Sequence, residues 1–567
     1  MKAKLCVFAE SKTFHVLVLL AGLAFLLTGA FHGNVWFDES YSVAIASHSF
    51  ADIWDIGSGD VHPVLFYWAL HVLNMLFGQN VLVYRLFTVA GTFSLALLGL
   101  LMVRRDFGRR IGTLFSFLVL FMPYIAYMAV EIRMYSWASF TVTACFLFAW
   151  RIACSLASMG GRDKGRPSEG EAWWNHVCRA HDIASLPQWA GAPRRWWVAF
   201  FVSSLASAYL HYYGVLAAFL VNIGLLVFIV LRRRSALVPL LIGAFIQVAL
   251  YAPWLAVVAS QVGVVSGSYW ADVTFPRTLV EWAFYPVATS QVIFADTYGW
   301  QWVVALSVCA ALAIAGVAWG LGVAWRQKRA RQKMHSALGA KARVRAWAFS
   351  PGITPALCGA ALYVGVFLVA LAASFAMGSL IVYYRYLSVT IGPLVLALAI
   401  AVFRIKSKAC VFALLAAFLG TSLVSQALFL QDAYSEKNIE PLECFEKAAA
   451  EHDAPLVLSS DIGIEGVTAV SCVDIPQTFL AWQPGDWAHA YQSYAPTLRT
   501  VSSWDEALMG YSGSFIVLGQ TSKEGIPVDI ADLEKRCDVQ LEEAHTFYRP
   551  YERTWFTIAV MERTLNG

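Results

Sequence analysis

Long apolar runs separated by short charged or aromatic connections recur through the first 430 residues of the chain. A helix needs about 20 mostly apolar residues to cross a hydrocarbon core of about 30 Å. Runs of that kind lie at 14–33, 81–103, 111–130, 135–153, 196–213, 214–231, 235–258, 301–325, 352–378, 385–403 and 409–430. The pattern therefore predicts a polytopic α-helical membrane protein of about eleven spans. The apolar run 63–77 is too short to cross, and counting it as a span would turn every later loop over. It reads as a helix lying in the membrane interface, ended at Gly78-Gln79-Asn80. Residues 260–300, rich in Trp, Tyr and Phe, also suit the membrane–water boundary. The connection 154–195, with Gly160-Gly161, Pro167, Pro187 and Pro193, reads as mostly irregular. From 431 onward the pattern changes. A charged helical stretch, Glu440–Glu451, alternates with short apolar runs at 455–458 and 515–518, and another at 555–561 closes the tail. This predicts a small α/β domain. No repeat of solenoid period is visible.

Composition agrees with the pattern. Of the 567 residues, 59% are hydrophobic and 14% charged, against about 45–50% and roughly 25% in soluble domains. That excludes a soluble enzyme, and the many aromatics exclude disordered and fibrous classes. The net charge of +4 hides an asymmetry: residues 431–567 carry −13 and the preceding 430 carry +17. The expected division is thus a membrane domain, 1–430, and an acidic domain, 431–567. No clear A-x-A cleavage site follows the first apolar run, so it reads as a retained span and not a signal peptide.

Lys and Arg are retained on the cytoplasmic face. With the N-terminus inside, the inner segments hold 28 basic residues, whereas residues 34–80 hold none. This orientation predicts a multi-pass protein of the cell membrane with its acidic C-terminal domain outside the cytoplasm. The basic stretch 326–345 lacks interleaved aromatics and lies between two spans. It suits anionic lipid headgroups and topology retention, not nucleic acid. Ten cysteines include no C-x-x-C pair, which excludes a zinc ribbon and a thioredoxin motif. Cys444, Cys472 and Cys537 fall in the tail, where one disulfide with a spare thiol and three buried thiols are both open.

The chemistry gathers in the first outer loop, 34–80. It carries Asp38, Glu39, Asp52, Asp55 and Asp60, with His32, His48, His62 and His71 in or beside it. Five carboxylates without a local cation repel one another, so a metal, a substrate or a distant arginine should compensate them. Asp38-Glu39 follows the first span directly, and Asp38 is expected at the end of that rigid helix. Asp and Glu also commonly terminate spans at the interface, the plain alternative. Arg85, Arg133 and Arg385 fall at outer span ends, where each could meet a lipid phosphate or snorkel to anchor its helix.

These motifs resemble, in order and in common outer placement, those of the GT-C class of polyprenyl-phosphate-sugar-dependent glycosyltransferases. The likeness is to the branch of protein O-mannosyltransferases and lipid A aminoarabinose transferases. The residues that carry it are Asp38-Glu39, Asp60-Val61-His62-Pro63, Gly78, Tyr84-Arg85-Leu86, Glu131-Ile132-Arg133-Met134-Tyr135, His211-Tyr212-Tyr213-Gly214, Tyr384-Arg385-Tyr386-Leu387 and Pro393. The resemblance covers roughly 14–403; Val64 departs from it, standing where a second proline is common, and the tail lies outside it.

The resemblance implies a GT-C fold and transfer of a sugar, mannose-like or other, from a polyprenyl-phosphate donor to a hydroxyl of a cell-envelope protein, lipid or polysaccharide. It implies Asp38 as general base, Glu39 in support, and inversion at the anomeric carbon. The departing lipid phosphate needs preorganised cations, for which Arg385, Arg133 and Arg85 are the candidates. Asp60, His62 and His211 are donors suited to Zn²⁺, Mn²⁺ or Mg²⁺, and some relatives use a divalent ion in this loop; an Asp60–His62 hydrogen bond shaping the loop is the other reading. Two further classes compete. A transporter or flippase of lipid-linked sugars should show inverted repeats and ionisable residues at mid-membrane, and a non-catalytic scaffold should tolerate loss of Asp38.

Overall fold

The structure is a computed structural model that describes residues 10–59, 62–158, 186–267, 275–286, 353–452, 456–459, 462–480, 487–493, 498–536 and 539–563. The chain forms two compact units. One comprises Met1–Thr28, Phe87–Val130 and Met134–Gln426; the other comprises Gly29–Leu86, Glu131–Arg133 and Ala427–Gly567.

The first unit is helical. Among the described residues, seven helices are long and apolar enough to cross a membrane: Val81–Asp106, Tyr135–Ala157, Tyr212–Arg232, Arg234–Gln261, Thr354–Met377, Tyr384–Phe403 and Lys408–Ala433. Each falls on an expected span. The expected span 111–130 is instead two helices, Arg109–Phe121 and Pro123–Val130, bent by 61°. Pro123 forces the break, because the residue before proline is driven out of the helical region and Met122 is extended at φ −72°, ψ 123°. The expected spans 14–33 and 196–213 are shorter helices, Lys12–Leu27 and Arg194–Leu210, of 16 and 17 residues. The span expected at 301–325 lies outside the described residues. In the connection 154–195, the described end forms a tight antiparallel pair, Gln188–Trp189 with Ala192–Pro193, and within 260–300 the segment Phe275–Phe284 is helical. Large apolar side chains such as Phe219, Phe245, Phe375 and Phe412 face outward from the spans, as lipid-facing positions should. Arg151 and Asp106 form a buried ion pair of 2.7 Å, the arrangement that permits charge in so apolar a unit.

The second unit begins with the loop. Three helices, α1 (Phe37–Ala46), α2 (Phe50–Gly59) and α3 (Leu65–Phe77), fill most of it. The first two replace what the sequence suggested was loop. Asp38 also departs from its expected place: the first apolar helix ends at Leu27, and Asp38 sits in the first turn of α1. Gly29 and Gly33, poor helix formers, lie in the intervening stretch. The expected interfacial helix is α3, which buries Phe66, Tyr67 and Leu70 and exposes Val72, Met75, Leu76 and Phe77. It ends at Gly78, whose φ of +70° suits glycine.

The tail supplies helices α4 (Glu440–Glu451), α5 (Ile462–Ser471), α6 (Trp487–Tyr491), α7 (Trp504–Ala507) and α8 (Val528–Arg536). Its strands are β1 (Val457–Ser459), β2 (Thr478–Leu480), β3 (Arg499–Val501), β4 (Gly513–Thr521), β5 (Val539–Arg549) and β6 (Thr554–Arg563). They make one sheet in the order β3-β2-β1-β4-β6-β5, parallel from β3 to β4 and antiparallel across β6. Strand alternation builds two cores. Phe515, Val517, Ala559 and Met561 meet Leu508, Ile530 and Leu533 on one face; Ile516, Leu518, Ile558 and Val560 meet Phe445, Ile464 and Val467 on the other. The expected α/β domain is thus a helix-covered sheet. Cys444 and Cys472 are free thiols in the second core, and Cys537 lies outside the described residues.

Candidate active site

Helix α1 starts where the chain leaves an extended Trp36. Its third residue, Glu39, folds back so that its carboxylate accepts from the Trp36 N–H at 3.4 Å, one half of a capping box. That carboxylate is fully buried and heavily bonded. Arg85 donates through Nη1 at 2.7 Å and Nη2 at 3.0 Å, the Ile132 N–H at 3.0 Å and the Tyr551 hydroxyl at 3.0 Å. Arg85 is itself fully buried, donates again to the Asn34 carbonyl, and stands 5.8 Å from the Tyr551 ring centre. A buried carboxylate is tolerated when it is paired and its lone pairs are used. Glu39 therefore anchors the start of α1, and Arg85 is its counter-ion.

Asp38 is one residue away on the helix, turned by about 100° from Glu39, and it is half-buried. Its backbone carbonyl is held by Arg133 Nη1 at 3.2 Å and the Ser42 hydroxyl at 2.8 Å. Arg133 also donates to Ser42 Oγ at 3.1 Å and faces His62 Nε2 at 3.3 Å, which makes that nitrogen an acceptor. Asp38, Glu39, Arg85, Arg133 and His62 are thus brought together within one unit. Asp60 lies outside the described residues.

Arg385 and His211 belong to the helical unit. Arg385 is buried with its guanidinium 5.3 Å from the Tyr383 ring centre. His211 caps the helix Tyr212–Arg232, its Nδ1 accepting from the Tyr213 N–H at 3.0 Å. Its ring lies 5.1 Å from Tyr386 and 5.5 Å from Tyr135.

Among the described residues no group of three or more His, Cys, Asp or Glu side chains could hold a metal. His62 Nε2 faces Arg133, and His211 Nδ1 serves a cap.

Tail residues complete the neighbourhood of α1, and nothing in the local sequence pointed to them. The Tyr491 hydroxyl lies 3.1 Å from Ser40 Oγ. Arg549 donates to the Val35 carbonyl at 3.1 Å, and His48 Nε2 lies 2.9 Å from the Ala490 carbonyl. Glu465, on α5, is wholly buried; loss of hydration pushes its carboxyl up to about 8, with the Ser459 hydroxyl pulling the other way. The same burial pushes the Tyr491 phenol up.

Neither a protein-family model nor any curated protein matches the sequence. Among solved structures the chain is similar to ArnT from Cupriavidus metallidurans in the apo state, at 13% identity and a TM-score of 0.42, covering 96% of this chain and 98% of that one. It is similar to the same protein bound to undecaprenyl phosphate, at 14% and 0.40, covering 97% and 98%. It is also similar to the apo oligosaccharyltransferase of Archaeoglobus fulgidus, at 12% and 0.38, covering 90% and 70%.

Proposed function

We propose that this chain is a membrane glycosyltransferase that moves a sugar from a polyprenyl-phosphate donor to a hydroxyl acceptor on the outer face of the membrane. The observation that carries the reading is the division of labour in the Asp38-Glu39 pair. Glu39 is consumed by Arg85, Tyr551 and two backbone amides, while Asp38 stands half-buried on the helix that Glu39 anchors. In this reading Glu39 builds the site and Asp38 takes the proton.

In this reading the acceptor oxygen attacks the anomeric carbon as the bond from that carbon to the phosphate oxygen breaks. The acceptor proton passes to Asp38, and the lipid phosphate leaves with the bonding electrons. A single displacement inverts the anomeric centre. Arg385, surrounded by Tyr383, Tyr384 and Tyr386, is the proposed partner of the departing phosphate, since a planar guanidinium matches two phosphate oxygens. The outer placement rests on the 28 basic residues of the inner segments and their absence from 34–80.

The test is transfer by the purified protein from polyprenyl-phosphate sugars to envelope acceptors, with mass analysis of envelope glycans in cells with and without it. No product and unchanged glycans would sink the reading. A tail cysteine that an impermeant reagent labels only after lysis would sink the sidedness.

A further inference from the structure

An open sheet of parallel strands and crossover helices offers a ligand site outside the carboxyl ends of its strands, where the strand order reverses. In the tail that reversal lies between β1 and β4: the chain steps from β1 to β2 to β3 and then returns to the other side of β1. Helix α5 leaves the carboxyl end of β1, α6 follows β2, and Arg549 closes β5, which runs parallel to β4. The groups from this edge meet the chain's own residues 35–48. Tyr491 pairs with Ser40, Arg549 with the Val35 carbonyl, Tyr551 with Glu39, and the Ala490 carbonyl with His48.

The approach is close. A Cβ on Gly466 of α5 would lie 2.3 Å from the Tyr491 hydroxyl oxygen and 2.9 Å from Ser40 Oγ. The absence of a side chain at 466 is what lets α5 and Tyr491 reach α1. Helix α1 is ten residues long, below the length at which a helix holds itself in water. Its position must come from what packs on it.

We propose that the carboxyl edge of the C-terminal sheet has been taken over as a cradle for α1, and that Tyr491 and Tyr551 are positioning residues for the Asp38-Glu39 pair. This rests on the transferase reading. Tyr491 fixes the helix through Ser40, one turn of which carries Asp38, and Tyr551 fixes the carboxylate of Glu39. The acidic domain is then part of the transfer site, not an appendage to it.

The experiment uses the full-length protein in detergent or nanodiscs, with Tyr491→Phe, Tyr551→Phe and Gly466→Ala, and with Met509→Ala at an exposed tail position as control. Hydrogen exchange is followed over 37–46 and over β4 and β6, beside kcat and KM for a polyprenyl-phosphate sugar. Each Phe variant loses one hydroxyl contact. Expected are about tenfold faster exchange confined to 37–46 and about a tenfold lower kcat with donor KM within about twofold. Gly466→Ala should exceed both, and the control should match wild type. Unchanged exchange at 37–46, or faster exchange with unchanged kcat, would overturn the proposal. If the wild type transfers no sugar at all, the transferase reading fails on its own account, and exchange at 37–46 alone decides whether the tail cradles α1.

Discussion

The Glu39 carboxylate accepts from both terminal nitrogens of Arg85, at 2.7 and 3.0 Å, with neither side chain exposed. Residues 46 apart in the chain are thereby locked where the first loop meets a membrane span. Breaking one partner of a buried pair leaves the other charge without compensation, at a cost of about 3–5 kcal/mol. Glu39→Gln and Arg85→Met should each destabilise the protein by that order, and the two together should cost less than the two singles added. Thermal unfolding of the purified variants measures this; additive losses would mean that the pair is not coupled.

Asp38→Asn preserves shape while removing most of the proton affinity of the side chain. Transfer should fall about 10²–10⁴-fold if general-base catalysis is lost, with the unfolding temperature little changed, because Asn is nearly isosteric with Asp. Glu39→Gln should instead lower stability and activity together. Rates of both variants, measured beside their melting curves, distinguish the roles. Wild-type turnover in Asp38→Asn would remove Asp38 as the base.

Arg385→Lys keeps a positive charge but loses the planar fork, and Arg385→Ala loses both. Donor affinity should fall in Lys and further in Ala, with acceptor KM little changed. Equilibrium binding of a polyprenyl-phosphate sugar to the three forms is the direct measurement, and undiminished binding in Ala would leave Arg385 only a role in packing against Tyr383.

Glu465 supplies a pH dependence whose sign follows from its burial. Its carboxyl is pushed from 4.5 up to about 8 in the folded protein, so between those values the native state holds a proton that the unfolded chain has released. Stability should therefore be greatest below about 4.5, as far as this group is concerned, and fall with rising pH through about 8, by up to about 1.4 kcal/mol per pH unit. Glu465→Gln should flatten this slope and raise the melting temperature at pH 8 more than at pH 5. Parallel melting curves for both proteins across that range would refute the assignment.

The apolar pattern by itself determined most of the architecture, because a 20-residue apolar run has one low-energy fate in a bilayer and period-2 alternation has one in a sheet. Of the eleven expected spans, ten carry described helices, and the tail carries the expected α/β sheet, within 457–563. The candidate pair Asp38-Glu39 was also legible, since adjacent carboxylates beside a membrane without a local cation demand an explanation. Which of the two is buried was not legible. That choice depends on Arg85, Ile132 and Tyr551, up to 512 residues away, and on where the first helix stops. The helical character of 37–59 escaped for the same reason: α1 is short and mixed in polarity, and its order comes from tertiary burial, not from its own propensity. Tyr491, Gly466 and Arg549 carried no local signal at all. Their importance exists only once the sheet has folded and its carboxyl edge has met α1, because a contact across hundreds of residues leaves no periodicity in the chain.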